Sequence, residues 1–302
     1  MFAHTNPVAS AGLTLAQRLE RFPGQRIATA RHTVAYREAG ASHLDAVPVV
    51  LLHGIGSGAA SWVQQFEALC KTRRVLAWDA PGYGESNPVT PASPFAADYA
   101  EVLGAWLDAL GIARCVLVGH SLGAIMAGAW AAAQSSRVMG LLLLSPAGGY
   151  GAAAPEVRIA KRDARLAMLD QLGADGLAAQ RSGNMLSSYA NDAARAWVRW
   201  NMARILPPGY RQATHLLANA DLLADLAAFH GRIAVAVGAE DGITPPAACE
   251  RIAQIFDNRQ AEVGQLKRAQ IFETQAQHGD TEAIVAVFVG AFEKAKRLQC
   301  LQ

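Results

Sequence analysis

Cys115-Val-Leu-Val-Gly-His-Ser121-Leu-Gly123-Ala-Ile-Met126 is the stretch whose reading decides the fold. An apolar run of strand character enters Gly-x-Ser-x-Gly, and a small-residue stretch of helical character follows at once. A serine in that setting sits on a turn tight enough to hold its hydroxyl clear of the sheet, a nucleophile elbow. Gly119 and Gly123 suit it because side chains there would collide where strand and helix fold back on each other.

The segments on either side repeat the theme. Val49-Val-Leu-Leu52 reads as a wholly apolar strand, with Pro48 tolerated because the first residue need not donate to the ladder. Further units are helix 61–70, strand 74–78, helix 97–110, strand 115–118, helix 122–133 and strand 140–144. Upstream, 13–22 reads as a short amphipathic helix ended by Pro23-Gly24, and 26–38 alternates as a strand or hairpin. Strands alternating with helices, the strands continuously apolar, predict a mostly parallel sheet covered by helices on both faces, an α/β fold. The alternation stops between 147 and 229, where only helical stretches are read, at 155–171, 191–206 and 210–219. It resumes with strand Ile233–Val237, helix 246–256, strand 269–274 and helix 281–296. The expected organisation is a helical extension 1–25, a core in two parts (26–146 and 230–302) and an inserted helical cap 147–229, with Gly148-Gly-Tyr-Gly151 as a hinge.

Composition bounds the partners. A chain of 302 residues suits one large α/β domain or two small ones. Its 52% apolar content is inflated by alanine, which favours helices. A net charge of +2 without a Lys/Arg tract gives no reason to expect nucleic acid or an anionic membrane. Cys70, Cys115, Cys249 and Cys300 have neither metal-site nor disulfide-framework spacing and read as reduced thiols. With no basic-then-apolar leader and no uninterrupted apolar segment of about 18 residues, the expected location is the cytoplasm. No phosphate loop, dinucleotide fingerprint or metal cluster is found, so no cofactor and no metal are expected. A homodimer is left open.

Serine becomes a nucleophile only when a base takes its proton, and a carboxylate must hold that base in one tautomer. Candidates were sought just beyond later strands. Gly238-Ala-Glu-Asp241 follows strand 233–237, and Gln277-His278-Gly279 follows strand 269–274. The order Ser121, Asp241, His278 is that of a serine triad with each group at a strand's carboxyl end. Asp241 is preferred to Glu240 on the Gly-x-x-Asp spacing. His32, His215 and His230 fall in an early hairpin, among the inserted helices and before a strand, so they are set aside. An oxyanion needs two preorganised donors. The Leu122 N–H, at a helix start, supplies one; the Ile55 N–H, in His53-Gly54-Ile55-Gly56, is expected to supply the other. Asp79, in Asp79-Ala-Pro-Gly-Tyr-Gly-Glu-Ser86, reads as a structural carboxylate. Trp197, Trp200, Met202 and Tyr210 are candidates for a substrate pocket, or else they pack the inserted helices together.

These segments together resemble the α/β-hydrolase fold family over about residues 26–296. The resemblance implies an eight-stranded sheet, catalytic residues on loops and a helical cap, with Ser121 as nucleophile, Asp241 as acid and His278 as base. The segment 193–221, with Pro207-Pro-Gly-Tyr210 and Ala218-Asn-Ala-Asp221, is similar to 3-oxoadipate enol-lactonases and allied esterases. It departs from them at Gly-His-Ser-Leu-Gly-Ala and at the Gly-Asp after His278, which leaves the substrate open. The expected activity is hydrolysis of a small carboxylic ester or lactone. Carbon–carbon bond hydrolysis of meta-cleavage products, or acyl transfer, would use the same triad; a ligand-binding member without turnover is the alternative of another class.

Overall fold

A computed structural model describes residues 13–41, 46–186, 188, 190–238, 241–263 and 271–274. Its eight strands are β1 (Gly24–Ala28), β2 (Thr33–Ala39), β3 (Val49–Leu52), β4 (Val75–Trp78), β5 (Cys115–His120), β6 (Val138–Leu144), β7 (Ile233–Gly238) and β8 (Ile271–Thr274). They form one sheet in the order β1-β2-β4-β3-β5-β6-β7-β8. β2 runs antiparallel to both β1 and β4, while every pairing from β4 through β8 is parallel. The fold is that of an α/β hydrolase.

The apolar strands alternate their faces, as a period of two requires. Val50, Leu52, Leu76, Leu117, Leu143, Val235 and Val237 join one core cluster. Val49, Leu51, Val75, Val116, Val118, Leu142 and Ala236 join the other. Helices α3 (Ala96–Ala109) and α4 (Leu122–Ala133) cover the first face, through Tyr99, Leu103, Trp106, Ile125, Met126 and Trp130. Trp106 sits between Trp78 and Tyr36, with ring centroids 5.9 and 5.7 Å away. α1 (Leu15–Leu19) and α2 (Val63–Leu69) cover the second face with Leu19, Phe22, Phe66 and Leu69. The amino-terminal helix is therefore docked on the core, and Glu67 of α2 receives Arg18 and Arg21.

Between β6 and β7 the described residues are helical. α5 runs from Pro155 to Arg181 and is broken at Gly173, whose φ of 63° and ψ of −174° lie outside the helix basin. It is followed by α6 (Asp192–Met202), α7 (Pro207–Asn219) and α8 (Leu222–Ala227). The sequence reading ended α5 ten residues early at 171 and had no α8, which Asp221 caps by accepting from the Leu223 and Ala224 N–H groups. α9 (Pro246–Val263) connects β7 to β8. The helix expected at 281–296 lies outside the described residues.

Gly148–Gly151 is no free hinge. The N–H groups of Tyr150 and Gly151 donate to Leu217 O (2.9 Å) and Ala220 O (2.7 Å), and Leu222 N–H donates to Gly148 O (2.9 Å). A second backbone contact pins α7 to the core: a Cβ on Gly209 would lie 1.9 Å from the carbonyl oxygen of Gly82, so only glycine fits. Among the described residues no helix is long and apolar enough to cross a membrane.

Candidate active site

Ser121 stands between the last residue of β5 and the first of α4, with φ 52° and ψ −115°. A positive φ at a non-glycine residue costs about 1–3 kcal/mol and persists only where neighbours impose it. Here the end of β6 does so: Ser121 N–H donates to Leu144 O (3.0 Å), and Ser121 O accepts from Ala147 N–H (3.1 Å). The glycines allow the approach. A Cβ on Gly119 would lie 2.6 Å from Gly123 O, and one on Gly123 would lie 2.3 Å from Leu52 O. The side chain of Ser121 makes no capping hydrogen bond to α4, although a serine before a helix usually does. Its hydroxyl is thereby left to other work.

The loop after β3 lies against this turn: a Cβ on Gly54 would be 3.1 Å from Ser121 Cβ. The loop is held from beneath by His53, which is 1% exposed. His53 Nε2 accepts from Ala80 N–H (3.0 Å), so the ring proton sits on Nδ1, which donates to Gly54 O (2.8 Å). Burial pushes the His53 pKa below the ordinary histidine value, against the nearby Asp79 charge and that Gly54 hydrogen bond. Ser57 N–H also donates to Gly54 O, at 3.2 Å. In a planar trans peptide the Ile55 N–H points opposite to Gly54 O, so these two bonds fix its direction as well. The next peptide is fixed by the Tyr83 hydroxyl, which donates to Ile55 O at 2.7 Å. Asp79 accepts from Ala59 N–H (2.8 Å) and, through its carbonyl, from the Ser86 hydroxyl (2.6 Å), the structural role read for it.

Asp241 stands three residues beyond the end of β7. Its Oδ1 accepts from the N–H groups of Ile243 and Thr244 and its Oδ2 from the Thr244 hydroxyl, each at 2.9 Å. Three donors anchor the carboxylate and leave one lone pair free, on Oδ2. His278 and Glu240 lie outside the described residues. Among the described residues no group of three or more His, Cys, Asp or Glu could hold a metal ion.

A cavity of about 300 Å³ opens beside the loop after β3, with Ile55 and Gly56 in its lining. Met202 and Tyr210 line it, and a Cβ on Gly56 would touch Met202 Cε at 2.9 Å. Trp197 and Trp200 do not line it. They stack on each other with centroids 4.6 Å apart and belong to the second core cluster with Trp62, and Arg204 lies 3.5 Å over the Trp200 ring. Their place as pocket residues is thus corrected to packing: their side of α6 turns toward the core, while Met202 at its end reaches the cavity. Ser121 is outside the lining, which includes Ile55 and Gly56, the two residues that follow Gly54 in the loop packed on the elbow.

The sequence reading missed most of the wall. One limb of α5 contributes Lys161, Ala164, Arg165 and Met168; beyond Gly173, Leu177 and Arg181 close the other side. The spacing 161, 164, 165, 168 is one helix face, a signal present in the sequence but mixed in polarity and so not read as a buried stripe. Arg165 Nη1 donates to the Tyr210 hydroxyl at 3.2 Å.

With this geometry in hand, relatives can be placed. The chain belongs to the alpha/beta hydrolase fold family, whose model matches residues 47–266. It is 38% identical over 105 residues to a 1-acylglycerol-3-phosphate O-acyltransferase of Sus scrofa, a match covering 34% of this chain and 30% of that protein. The chain thus spans under a third of that curated relative's length. Among solved structures, an enol-lactonase from Burkholderia xenovorans LB400 superposes with a TM-score of 0.74 at 23% identity, over 89% of this chain and 98% of that one. A hydrolase from Pseudomonas aeruginosa PA01 gives 0.71 at 27% identity, over 89% and 96%.

Proposed function

We propose that the chain is a serine hydrolase cleaving a small carboxylic ester or lactone through an acyl-enzyme intermediate. The observation that carries this reading is Ser121 itself: a serine forced to positive φ at the strand-to-helix turn, its hydroxyl unused as a cap, with the loop of Ile55 packed against it. Ser121 Oγ attacks the carbonyl as His278 takes its proton, and Asp241 keeps that imidazole in the accepting tautomer. The N–H groups of Leu122 and Ile55 hold the oxyanion. His278 returns the proton to the leaving alcohol, and water then releases the acid by the same steps. Residues 147–229 serve as a cap that selects the substrate.

Acyl transfer to an acceptor other than water is a second reading, supported by the activity named for the Sus scrofa relative. One assay addresses both. A chromogenic butyrate ester is expected to be turned over with stoichiometric butyrate release, and Ser121→Ala should reduce turnover by at least about a thousandfold. Butyryl transfer to an added alcohol in place of free acid would favour the transferase. Unimpaired turnover by Ser121→Ala would overturn both.

A further inference from the structure

The cavity wall carries three cations and no carboxylate: Lys161, Arg165 and Arg181 line it, and none of its lining residues is Asp or Glu. On the first limb of α5, every acid is turned the other way. At 3.6 residues per turn, Glu156, Asp163 and Asp170 fall on the side opposite Lys161, Arg165 and Met168. There Asp163 pairs with Arg162 at 2.7 Å and Asp170 pairs with Arg211. Among the described residues Lys161 and Arg181 make no ion pair and Arg165 is bonded only to the Tyr210 hydroxyl, which leaves other guanidinium donors available. Most of the remaining wall is apolar and adaptable, with Met168, Leu177, Met185 and Met202 beside Tyr150 and Tyr210. Ile55 and Gly56, from the loop that packs on Ser121 through Gly54, line it too.

We infer that this cavity is an anion-recognising subsite, and that the substrate carries an oxyanionic group, carboxylate or phosphate type, on a short apolar arm leading from the scissile carbonyl. Lys161 is exposed and Arg165 and Arg181 are half-buried, so the three positive charges share one wall with apolar side chains; an oxyanion bound there makes charge-assisted hydrogen bonds to them. About 300 Å³ corresponds to roughly ten water-sized groups, which suits a compact ligand. The turnover part of this inference rests on the hydrolase reading; the binding part does not.

The test compares 4-nitrophenyl hydrogen glutarate, 4-nitrophenyl 3-phosphonopropanoate and the neutral 4-nitrophenyl methyl glutarate on the full chain and on a Lys161→Gln/Arg181→Gln variant whose fold is checked by circular dichroism. At least one anionic ester should exceed the neutral one in kcat/KM by about tenfold or more, the size of one charge-assisted hydrogen bond. The better of the two identifies the anion. The preference should shrink toward parity in the double variant, mainly through KM, and at high salt. The neutral ester should change by less than about twofold. Equal use of all three esters by the unmodified chain, or an equal loss on all three in the variant, would overturn the inference. Should no ester be turned over, the hydrolase reading fails instead, and calorimetric titration with glutarate and with 3-phosphonopropanoate decides the subsite: binding of either that the double variant loses supports it, and binding of neither refutes it.

Discussion

Ser121 holds a positive φ of 52°, a backbone conformation that serine rarely adopts. Its conformation is imposed by Leu144 O and Ala147 N–H at the end of β6, so the hydroxyl's position is set by the sheet and not by its own side-chain preferences. Asp241, proposed as the acid, is fixed as firmly. Asp241 is held by three donors whether or not it meets a histidine, so Asp241→Asn should keep much of the local turn while presenting the wrong group to the imidazole. Ester turnover should fall by about 10⁴ in Asp241→Asn and little in Glu240→Gln, measured as kcat/KM; the opposite pattern would move the acid to Glu240. His53 makes a prediction of its own. Buried and neutral in the fold, it resists a proton that the unfolded chain accepts near pH 6.5. Its folded pKa lies below the unfolded one, so the unfolded state binds more protons as pH falls through that range. The resulting stability is complete above about pH 6.5 and declines below it, by up to about 1.4 kcal/mol per pH unit. Urea midpoints at pH 7.5 and 5.5 should therefore differ more for the parent chain than for His53→Gln, which cannot titrate; equal differences would contradict this account.

At the scale of elements, the core strands and helices were legible because each is a continuous apolar run or an alanine-rich helix bounded by glycine or proline. Which residues face which side was not. In Val49–Leu52 all four residues are apolar and all four are buried, and only the sheet register separates Val50 and Leu52 from Val49 and Leu51. Trp197 and Trp200 misled for a related reason: a large aromatic on an amphipathic helix is equally suited to a pocket or a seam, and here the two rings stack on each other in the seam. The α5 wall was hidden because Lys161 and Arg165 look like ordinary surface residues in the sequence, and only the fold sets them on one cavity with Ile55. The break in α5 is a further product of one residue. Gly173 adopts φ 63° and ψ −174°, and nothing lies within 4 Å of where its Cβ would be. A side chain there meets no clash, so its cost is purely conformational, about 1–3 kcal/mol. Gly173→Ala should lower the urea midpoint accordingly, whereas Gly183→Ala, also in open space but without positive φ, should remain within about 0.5 kcal/mol of the parent. Equal stability of the two variants would mean that the break is not set by Gly173.

For the whole molecule, the sheet brings the carboxyl ends of β3, β5 and β7 to one edge, and the loops that leave them carry Ile55, Ser121 and Asp241. The inserted helices are tied to this edge by backbone, through Gly82 and Gly209 and through Gly148–Gly151, so the cavity they roof is held in register with the elbow. Ser121 and Asp241 stand on two of these loops, and His278 lies outside the described residues. If Ser121 is an activated nucleophile, as proposed, active-site labelling will find it. A fluorophosphonate incubated with the folded chain should add one equivalent of mass, located by peptide mass spectrometry on Ser121. Labelling should be abolished by Ser121→Ala and strongly slowed by His278→Ala. Modification of some other residue, or no stoichiometric adduct on the folded chain, would contradict the account.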